Sequence, residues 1–139
     1  MYAWEQAARH DYQASQLPAW AIAKAYYVHG FSYHRVSALH EACCAEGLNS
    51  PFSEWIAGWD EESKLTSRVT TRVHCADYFE IRDDALRAHA TQIDPGGSWF
   101  AVPLEIQRRV WPTEDYELAA SRIQLVDSED DLFAGLVGN

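Results

Sequence analysis

In three segments of this chain, apolar and polar residues are arranged in patterns that predict β-strands. The clearest segment is residues 68–75, where apolar and β-branched side chains at the odd-numbered positions alternate with more polar neighbours. Residues 24–29 carry a run of aromatic and apolar side chains that Gly30 ends, which predicts a buried strand. Residues 115–119 carry a weaker signal. A strand is favoured there, with a helical turn as the alternative.

A helical period predicts the longest uninterrupted element, at residues 33–46. Apolar side chains three and four positions apart form one inward face. Its members are Val36, Leu39, His40 and Cys43. Ser32 precedes the helix as an N-cap and Gly47 follows it as a C-cap. His40 is therefore expected to be a core histidine whose ring nitrogens find hydrogen-bond partners.

Two shorter helices are predicted in the first half of the chain. The first covers residues 1–14 by composition, and Pro18 breaks the pattern. The second covers residues 51–59, with Ser50 as its cap and a proline at the first helical position. The acidic and polar residues 60–63 then predict an exposed turn.

Two more helices are predicted in the second half. Asp77 and Glu80 have the spacing of a capping box, so a helix is expected from there through residue 93. The Asp-Pro-Gly-Gly sequence at 94–97 stops it. A short helix follows at residues 104–110. The acidic tail is expected to be solvated, except where three apolar residues can dock. The tail's acidic residues are Asp127, Glu129, Asp130 and Asp131, and the docking residues are Leu132, Phe133 and Leu136.

Helices alternating with strands predict the α/β class, with two or three strands and several helices. So few strands are not enough for a complete doubly wound sheet. The length of 139 residues suits one modest domain, and the 47% of apolar and 13% of aromatic residues are typical of a folding chain. The sequence therefore predicts a single partial domain over residues 1–139.

Charge and hydropathy narrow the range of partners. The formal net charge of −10 argues against a nucleic-acid partner, because phosphate binding needs clustered Lys and Arg. No run approaches the ~20 apolar residues of a membrane span, and the first residues lack the order of a signal peptide. We therefore expect a cytoplasmic protein without a membrane partner. Cys43, Cys44 and Cys75 have no metal-binding spacing and are expected to be free, buried or half-buried thiols.

The residues alone indicate no complete catalytic or metal site. There is no HExxH pair, no nucleophile elbow and no glycine-rich phosphate loop. His74, on the polar side of its strand, is expected at the surface. Asp83 and Asp84 are adjacent, so they point to different sides of a helix, and a solvated face explains both.

His89 and Gln92 are the most informative polar residues. They lie three positions apart on the predicted helix 77–93, so their side chains should point the same way, and Leu86 and Ile93 turn that face inward. Inward polar groups need partners, because an unsatisfied group costs ~1–3 kcal/mol. Hydrogen bonds to neighbouring backbone and a role in lining a ligand pocket both remain open from the residues alone.

Several blocks of this sequence resemble a known family. They are residues 24–31 (KAYYVHGF), 66–73 (TSRVTTRV), 83–95 (DDALRAHATQIDP), 111–116 (WPTEDY) and 131–136 (DLFAGL). Together they resemble the carboxy-terminal half of the mycothiol S-conjugate amidases, a branch of the PIG-L/LmbE-like zinc deacetylase family. The HATQ block and the tail also resemble the sister deacetylase of mycothiol synthesis, whereas the WPTE block points to the amidase branch.

The resemblance implies a fold, an activity and a cofactor. The fold would be the C-terminal part of a Rossmann-type PIG-L/LmbE-like domain that lacks the amino-terminal metal-binding half. The activity would be hydrolysis of mycothiol S-conjugates to a mercapturic acid and glucosaminyl-inositol, a detoxification reaction. The full-length family uses zinc, held by two His and an Asp, with an Asp as general base. Its AHPDDE and HPDH motifs do not occur here, so the resemblance implies no catalytic residue, no metal ligand and no tightly bound zinc.

One site assignment carries over from the family. Gln92 corresponds to the glutamine near the family's metal pocket, and His89 accompanies it as a supporting residue. Three interpretations remain. The chain is the tail of an amidase that has lost its start and is inactive alone, or half of a split enzyme that an amino-terminal polypeptide completes, or a non-catalytic binding module. In each, inward aromatic faces would need cover and the chain alone would be marginally stable. These faces carry Trp20, Tyr26, Trp55, Trp99 and Trp111.

Overall fold

The computed structural model describes residues 1–11, 18–125 and 129–136 as a mixed α/β arrangement of three strands and several helices. The strands are β1 (Lys24–His29), β2 (Thr71–His74) and β3 (Thr113–Ser121). The helices are α1 (Tyr2–Ala7), α2 (Tyr33–Ala45), α3 (Ser53–Gly58), α4 (Glu61–Leu65), α5 (Phe79–Ala88) and α6 (Leu104–Val110). Short 3₁₀ turns lie at Ala76–Tyr78 and Ser98–Phe100. Of the helices in these ranges, none is long and apolar enough to cross a membrane.

The sheet has the order β1-β3-β2, and both of its strand pairs are antiparallel. The α/β class and the number of strands are therefore confirmed, and the weaker prediction of a strand at residues 115–119 is confirmed as part of the central strand. The bounds of β1 are those predicted, but the prediction that it is buried is wrong. It lies at an edge of the sheet, where Val28 is 70% exposed.

Helix α2 forms as its sequence predicts. Ser32 Oγ accepts a hydrogen bond from the backbone N–H of Arg35 at 3.3 Å, and Gly47 takes the positive φ of 71° that ends the helix. His40 Nδ1 lies 2.8 Å from Ser50 Oγ, so the expected hydrogen-bond partner is confirmed, but the residue is half-buried and lies outside the core cluster. His74 is exposed, as predicted.

The apolar core lies between α2, α6 and the segment that precedes α3. Its buried members are Val36, Leu39, Cys43, Phe52, Val102 and Ile106. Phe52 and Ile106 are among the largest fully buried side chains, and burying each contributes about 1.5–3 kcal/mol. Trp59, Val110 and Trp111 pack against this cluster from its margin. The core is thus mainly helical, and the sheet extends beyond it.

Three local predictions are wrong. Residues 60–63 do not form a turn, because α4 begins at Glu61. The capping box does not form: Asp77 lies within a 3₁₀ turn, and α5 begins after Tyr78 without a side-chain cap. The helix then ends at Ala88 rather than at residue 93.

The carboxy-terminal segment is held more tightly than its acidity predicts. Glu129 is buried, forms an isolated parallel bridge with Thr71, and accepts a backbone hydrogen bond from Arg72 at 3.2 Å. The docking expected of the apolar residues is wrong for Phe133 and Leu136, which are 62% and 43% exposed. Predictions for residues 12–14 and for Asp127 lie outside the described residues.

Candidate functional site

A cavity of about 560 Å³ opens at the carboxy-terminal end of β1. The strand delivers His29 to its wall, the N-terminus of α2 supplies Ser32 and Tyr33, and the segment before β2 supplies Ser67 and Arg68. The remaining lining residues are Phe31, Trp59, Asp60, Glu62, Thr66 and Val69. Imidazole, guanidinium and hydroxyl groups therefore face the same space as several aromatic rings.

Two polar residues of this cavity wall, His29 and Arg68, both contact Glu117 of β3, which does not itself line the cavity. His29 Nε2 lies 2.8 Å from Glu117 Oε2, and Arg68 Nη2 lies 2.5 Å from Glu117 Oε1. On the antiparallel β1–β3 pair, Glu117 stands opposite Tyr27 and His29 opposite Asp115, so His29 and Glu117 are diagonal neighbours. The hydrogen bond from His29 and the charge of Arg68 lower the pKa of the Glu117 carboxyl below its usual value.

An aromatic group borders the cavity. The ring of Phe31 makes edge-on contacts with Trp55 and Trp99, at centroid distances of 5.4 and 5.2 Å. Tyr33 and Trp59 make a similar contact at 5.6 Å. Phe31 and Trp55 remain partly exposed, at 37% and 42%. The cavity thus offers apolar ring surface next to hydrogen-bonding groups.

A second polar cluster lies at Glu114 of β3. One carboxylate oxygen accepts from Arg35 of α2 and the other from Arg82 of α5, both at 3.0 Å. Arg82 also donates to Asp83 Oδ1 at 2.8 Å and to Gln107 Oε1 at 3.0 Å. The expectation that Asp83 lies on a solvated face is therefore wrong, because its carboxylate is buried against this arginine. The cluster joins three helices to the central strand.

Known proteins share this sequence over most of its length. A mycothiol S-conjugate amidase of Streptomyces coelicolor is 55% identical over 116 residues, which are 84% of this chain and 40% of that protein. A 1D-myo-inositol 2-acetamido-2-deoxy-alpha-D-glucopyranoside deacetylase of Geodermatophilus obscurus is 35% identical, over 99% of this chain and 47% of its own length. The 1D-myo-inositol 2-acetamido-2-deoxy-alpha-D-glucopyranoside deacetylase 2 of Frankia casuarinae is 34% identical, over 84% of this chain and 37% of its own length. No protein-family model matches the chain, and no solved structure gives a significant match.

The chain is a relative of the mycothiol S-conjugate amidases. The resemblance predicted from its sequence blocks is thereby confirmed, with the mycothiol deacetylases as further relatives. The chain spans less than half the length of these relatives. Two of the blocks that resemble the amidases, residues 24–31 and 66–73, line the cavity with His29, Phe31 and Arg68.

The two site residues predicted from the amidase resemblance lie elsewhere. Because α5 ends at Ala88, His89 and Gln92 follow it in a turn closed by the hydrogen bond from Gln92 N to His89 O at 2.9 Å. Both side chains are exposed, so the inward helical face expected for them is wrong. Neither residue lines the cavity at β1. Their place in the pocket of an amidase remains a prediction.

Sequence reasoning missed His29, Arg68 and Glu117. A signal existed for His29 and Arg68, because each lies within a block that resembles the mycothiol amidases. No sequence signal marks Glu117, since only the pairing of β1 with β3 brings its carboxylate to the histidine.

The residues that the structure describes do not fit the zinc of the amidase family. Within ranges 1–11, 18–125 and 129–136, no group of three or more His, Cys, Asp or Glu is placed to hold a metal ion. A catalytic zinc needs three protein ligands, whereas His29 and Glu117 supply two groups that are already hydrogen-bonded to each other. No catalytic step through zinc is derived from this chain.

Two of the three cysteines, Cys43 and Cys75, are poorly suited to act as nucleophiles. Burial raises the pKa of the Cys43 thiol, and burial together with the nearby Glu114 carboxylate raises that of Cys75. A raised pKa keeps a thiol protonated and unreactive. All three are free, and Cys43 is buried and Cys75 half-buried as predicted, whereas Cys44 is exposed.

Proposed function

We propose that this chain is one part of a zinc-dependent amidase that hydrolyses mycothiol S-conjugates. The observation that carries the proposal is the 55% identity to the Streptomyces coelicolor amidase over 84% of this chain. Identity to the two deacetylases is 34% and 35%, which favours the amidase branch over the deacetylase branch. The substrate would be a mycothiol S-conjugate, cleaved to a mercapturic acid and glucosaminyl-inositol.

The proposal assigns zinc and the general base to polypeptide that this chain does not span. The matched region is 40% of the Streptomyces coelicolor protein, so most of that protein's length lies outside the match. Residues 1–139 would then form a partial domain, the C-terminal part of a PIG-L/LmbE-like Rossmann-type fold. The three-stranded sheet would be part of a larger one. Alone, the chain would be inactive, since its described residues bring together no ligand set for a metal centre.

The chain's own contribution would be a polar wall for the substrate. Glucosaminyl-inositol presents many hydroxyl groups, which suit the guanidinium of Arg68 and the imidazole of His29 as hydrogen-bond partners, and Glu117 would hold these two groups in place. The aromatic rings beside them suit the apolar faces of a sugar ring. We place Gln92 and His89 at the border of the same substrate pocket, where the remaining polypeptide would enclose them.

The decisive experiment compares this chain alone with a fusion. The fusion joins the unmatched portion of the Streptomyces coelicolor amidase to residues 1–139. Release of amine from a mycothiol S-conjugate and the bound zinc per molecule are measured for both. We expect one zinc and amidase activity for the fusion, and neither for the chain alone. Activity of the chain by itself, or a folded and zinc-loaded fusion without activity, would contradict the proposal.

A non-catalytic module is the alternative, since such a module would also need no three metal ligands among the described residues. The same fusion separates the two functions. A module would bind a mycothiol conjugate, or a protein partner, while the fusion stays inactive. Separate expression of the two portions, followed by mixing, then tests whether they assemble as a split enzyme.

A further inference from the structure

The two edges of the sheet differ in how they are covered. At the outer edge of β2, Thr71 pairs with Glu129, and Arg72 N donates to Glu129 O at 3.2 Å. At the opposite edge, β1 pairs with β3 on one side, and no strand among the described residues pairs with its other side. One edge is therefore capped by the chain itself and the other is open.

The later half of the open edge, from Tyr26 to His29, lacks the features that keep exposed strands from pairing. Tyr27 and Val28 are 53% and 70% exposed, and the strand contains no proline. Its two titratable basic side chains are engaged elsewhere, Lys24 with the buried Glu129 and His29 with Glu117. A bulge lies between Ala25 and Tyr26, so the later half of the strand stays in regular register. Natural edges are usually protected by free charges, prolines or bulges along their length.

We propose that the outer edge of β1 docks a β-strand from the part of a mycothiol amidase polypeptide that this chain does not span. This inference rests on the proposed function. The matched length of 40% leaves enough polypeptide to supply such a strand. Strand addition satisfies the unpaired main-chain groups of an edge and covers its exposed side chains. Tyr27 and Val28 become buried at this junction.

A second copy of this chain is the less favourable occupant. Two copies would each bring a formal net charge of −10, and like charges repel at long range. No free basic side chain of β1 is present to offset that repulsion, because Lys24 and His29 are already paired. A polypeptide of different sequence is free of this constraint.

The test uses residues 1–139 co-expressed with the unmatched portion of the Streptomyces coelicolor amidase as a separate polypeptide. Hydrogen exchange of the wild-type complex reports on β1 directly, and we expect its amides to become protected on assembly. Val28→Lys should raise the Kd about tenfold or more, because it removes the burial of a valine side chain. Leu65→Lys is the matched control. Leu65 is 84% exposed on α4, and this variant should bind within about twofold of wild type.

The outcomes distinguish failure of the proposed docking surface from failure of the proposed function. A complex in which β1 stays unprotected, or in which Val28→Lys and Leu65→Lys bind equally, overturns the edge assignment even if amidase activity appears. Protection of the β1 amides from hydrogen exchange without amidase activity supports strand docking at β1 and contradicts the proposed function. No complex at all, or a dimer of this chain that Val28→Lys dissociates, overturns the proposed occupant. Thermal melts of both variants confirm that each remains folded.

Discussion

Lys24 of β1 and Glu129 of the carboxy-terminal segment form a buried ion pair across 105 positions of sequence, with Nζ and Oε1 2.5 Å apart. Their side chains are only 2% and 5% exposed. Tyr26 and Thr71 donate to the other carboxylate oxygen, Oε2, at 2.7 and 3.0 Å, and Lys24 also donates to the Ala134 carbonyl at 2.6 Å. The pair therefore holds the acidic carboxy-terminal segment against the sheet.

Breaking this pair should unfold the tail and weaken the whole chain. Glu129→Ala leaves the Lys24 ammonium buried without its carboxylate, which costs about 3–5 kcal/mol in the free energy of unfolding. The matched control is Asp84→Ala. It breaks an exposed pair with Arg87 whose loss should cost no more than about 1 kcal/mol. Urea denaturation of both variants measures the difference, and equal losses would mean that the buried pair is not what holds the tail.

The same pair predicts a window of pH stability. Burial is the largest single influence, and by itself it raises the pKa of Glu129 and lowers that of Lys24. The hydrogen bonds and charges around the pair together outweigh burial, so the Glu129 pKa is lowered and the Lys24 pKa is raised. A lowered carboxyl pKa stabilises the fold above the ordinary value of 4.5, and that contribution is lost as the pH falls through the folded pKa. A raised lysine pKa stabilises it below 10.5, and that contribution is lost as the pH rises through the folded pKa.

Unfolding free energies measured in urea from about pH 7 down to about pH 3 test the acid side of this window. Wild type should lose stability in this range, and Glu129→Gln should lose less because its side chain does not titrate. Glu117 contributes to the same acid loss, since its pKa is also lowered. The Glu129→Gln curve should therefore be shallower than wild type without becoming flat, and parallel curves would contradict the role given to Glu129.

The cavity at β1 predicts an effect on substrate use. In an active fusion enzyme, Arg68→Met removes a charged donor from the cavity wall while keeping an unbranched, mainly aliphatic side chain. Loss of a charged hydrogen bond of about 1.5–3 kcal/mol would lower kcat/KM about tenfold or more. Arg87→Met is the control, because Arg87 is half-exposed beside Asp84 and does not line the cavity. Equal kinetic constants for the two variants would remove Arg68 from the substrate pocket.

Gln92 offers a test that separates folding from function. Its side chain is exposed, so Gln92→Ala should change the stability of this chain by no more than about 0.5 kcal/mol. If the remaining polypeptide encloses Gln92 in the substrate pocket, the same substitution in the fusion should lower kcat/KM. His89→Ala should have a smaller effect in the same assay. Unchanged kinetics for Gln92→Ala would end its assignment to the pocket.

Local patterns predicted the elements whose causes are local. Helix α2 formed at its expected place because Ser32, Gly47 and the apolar face of Val36 and Leu39 all lie within the helix or next to it. Helix α6 and strand β1 kept their predicted bounds for a similar reason. The capping box failed because the chain from Ala76 takes a 3₁₀ turn, in which Asp77 does not cap α5.

Sequence by itself thus determined the α/β class, the kinship to the mycothiol amidases, and the elements whose caps and apolar periods are local. The tertiary structure alone decided the partners of Glu117, Glu129 and Asp83, and the position of β1 at an open edge. From the sequence alone, each of these carboxylates would be expected to be solvated, because acidic residues are usually exposed. Glu117 meets His29 of β1 and Arg68 of the segment before β2, Glu129 meets Lys24 of β1, and Asp83 pairs with Arg82, a neighbour that packing half-buries. Strand order and helix packing therefore decide which charges meet away from water.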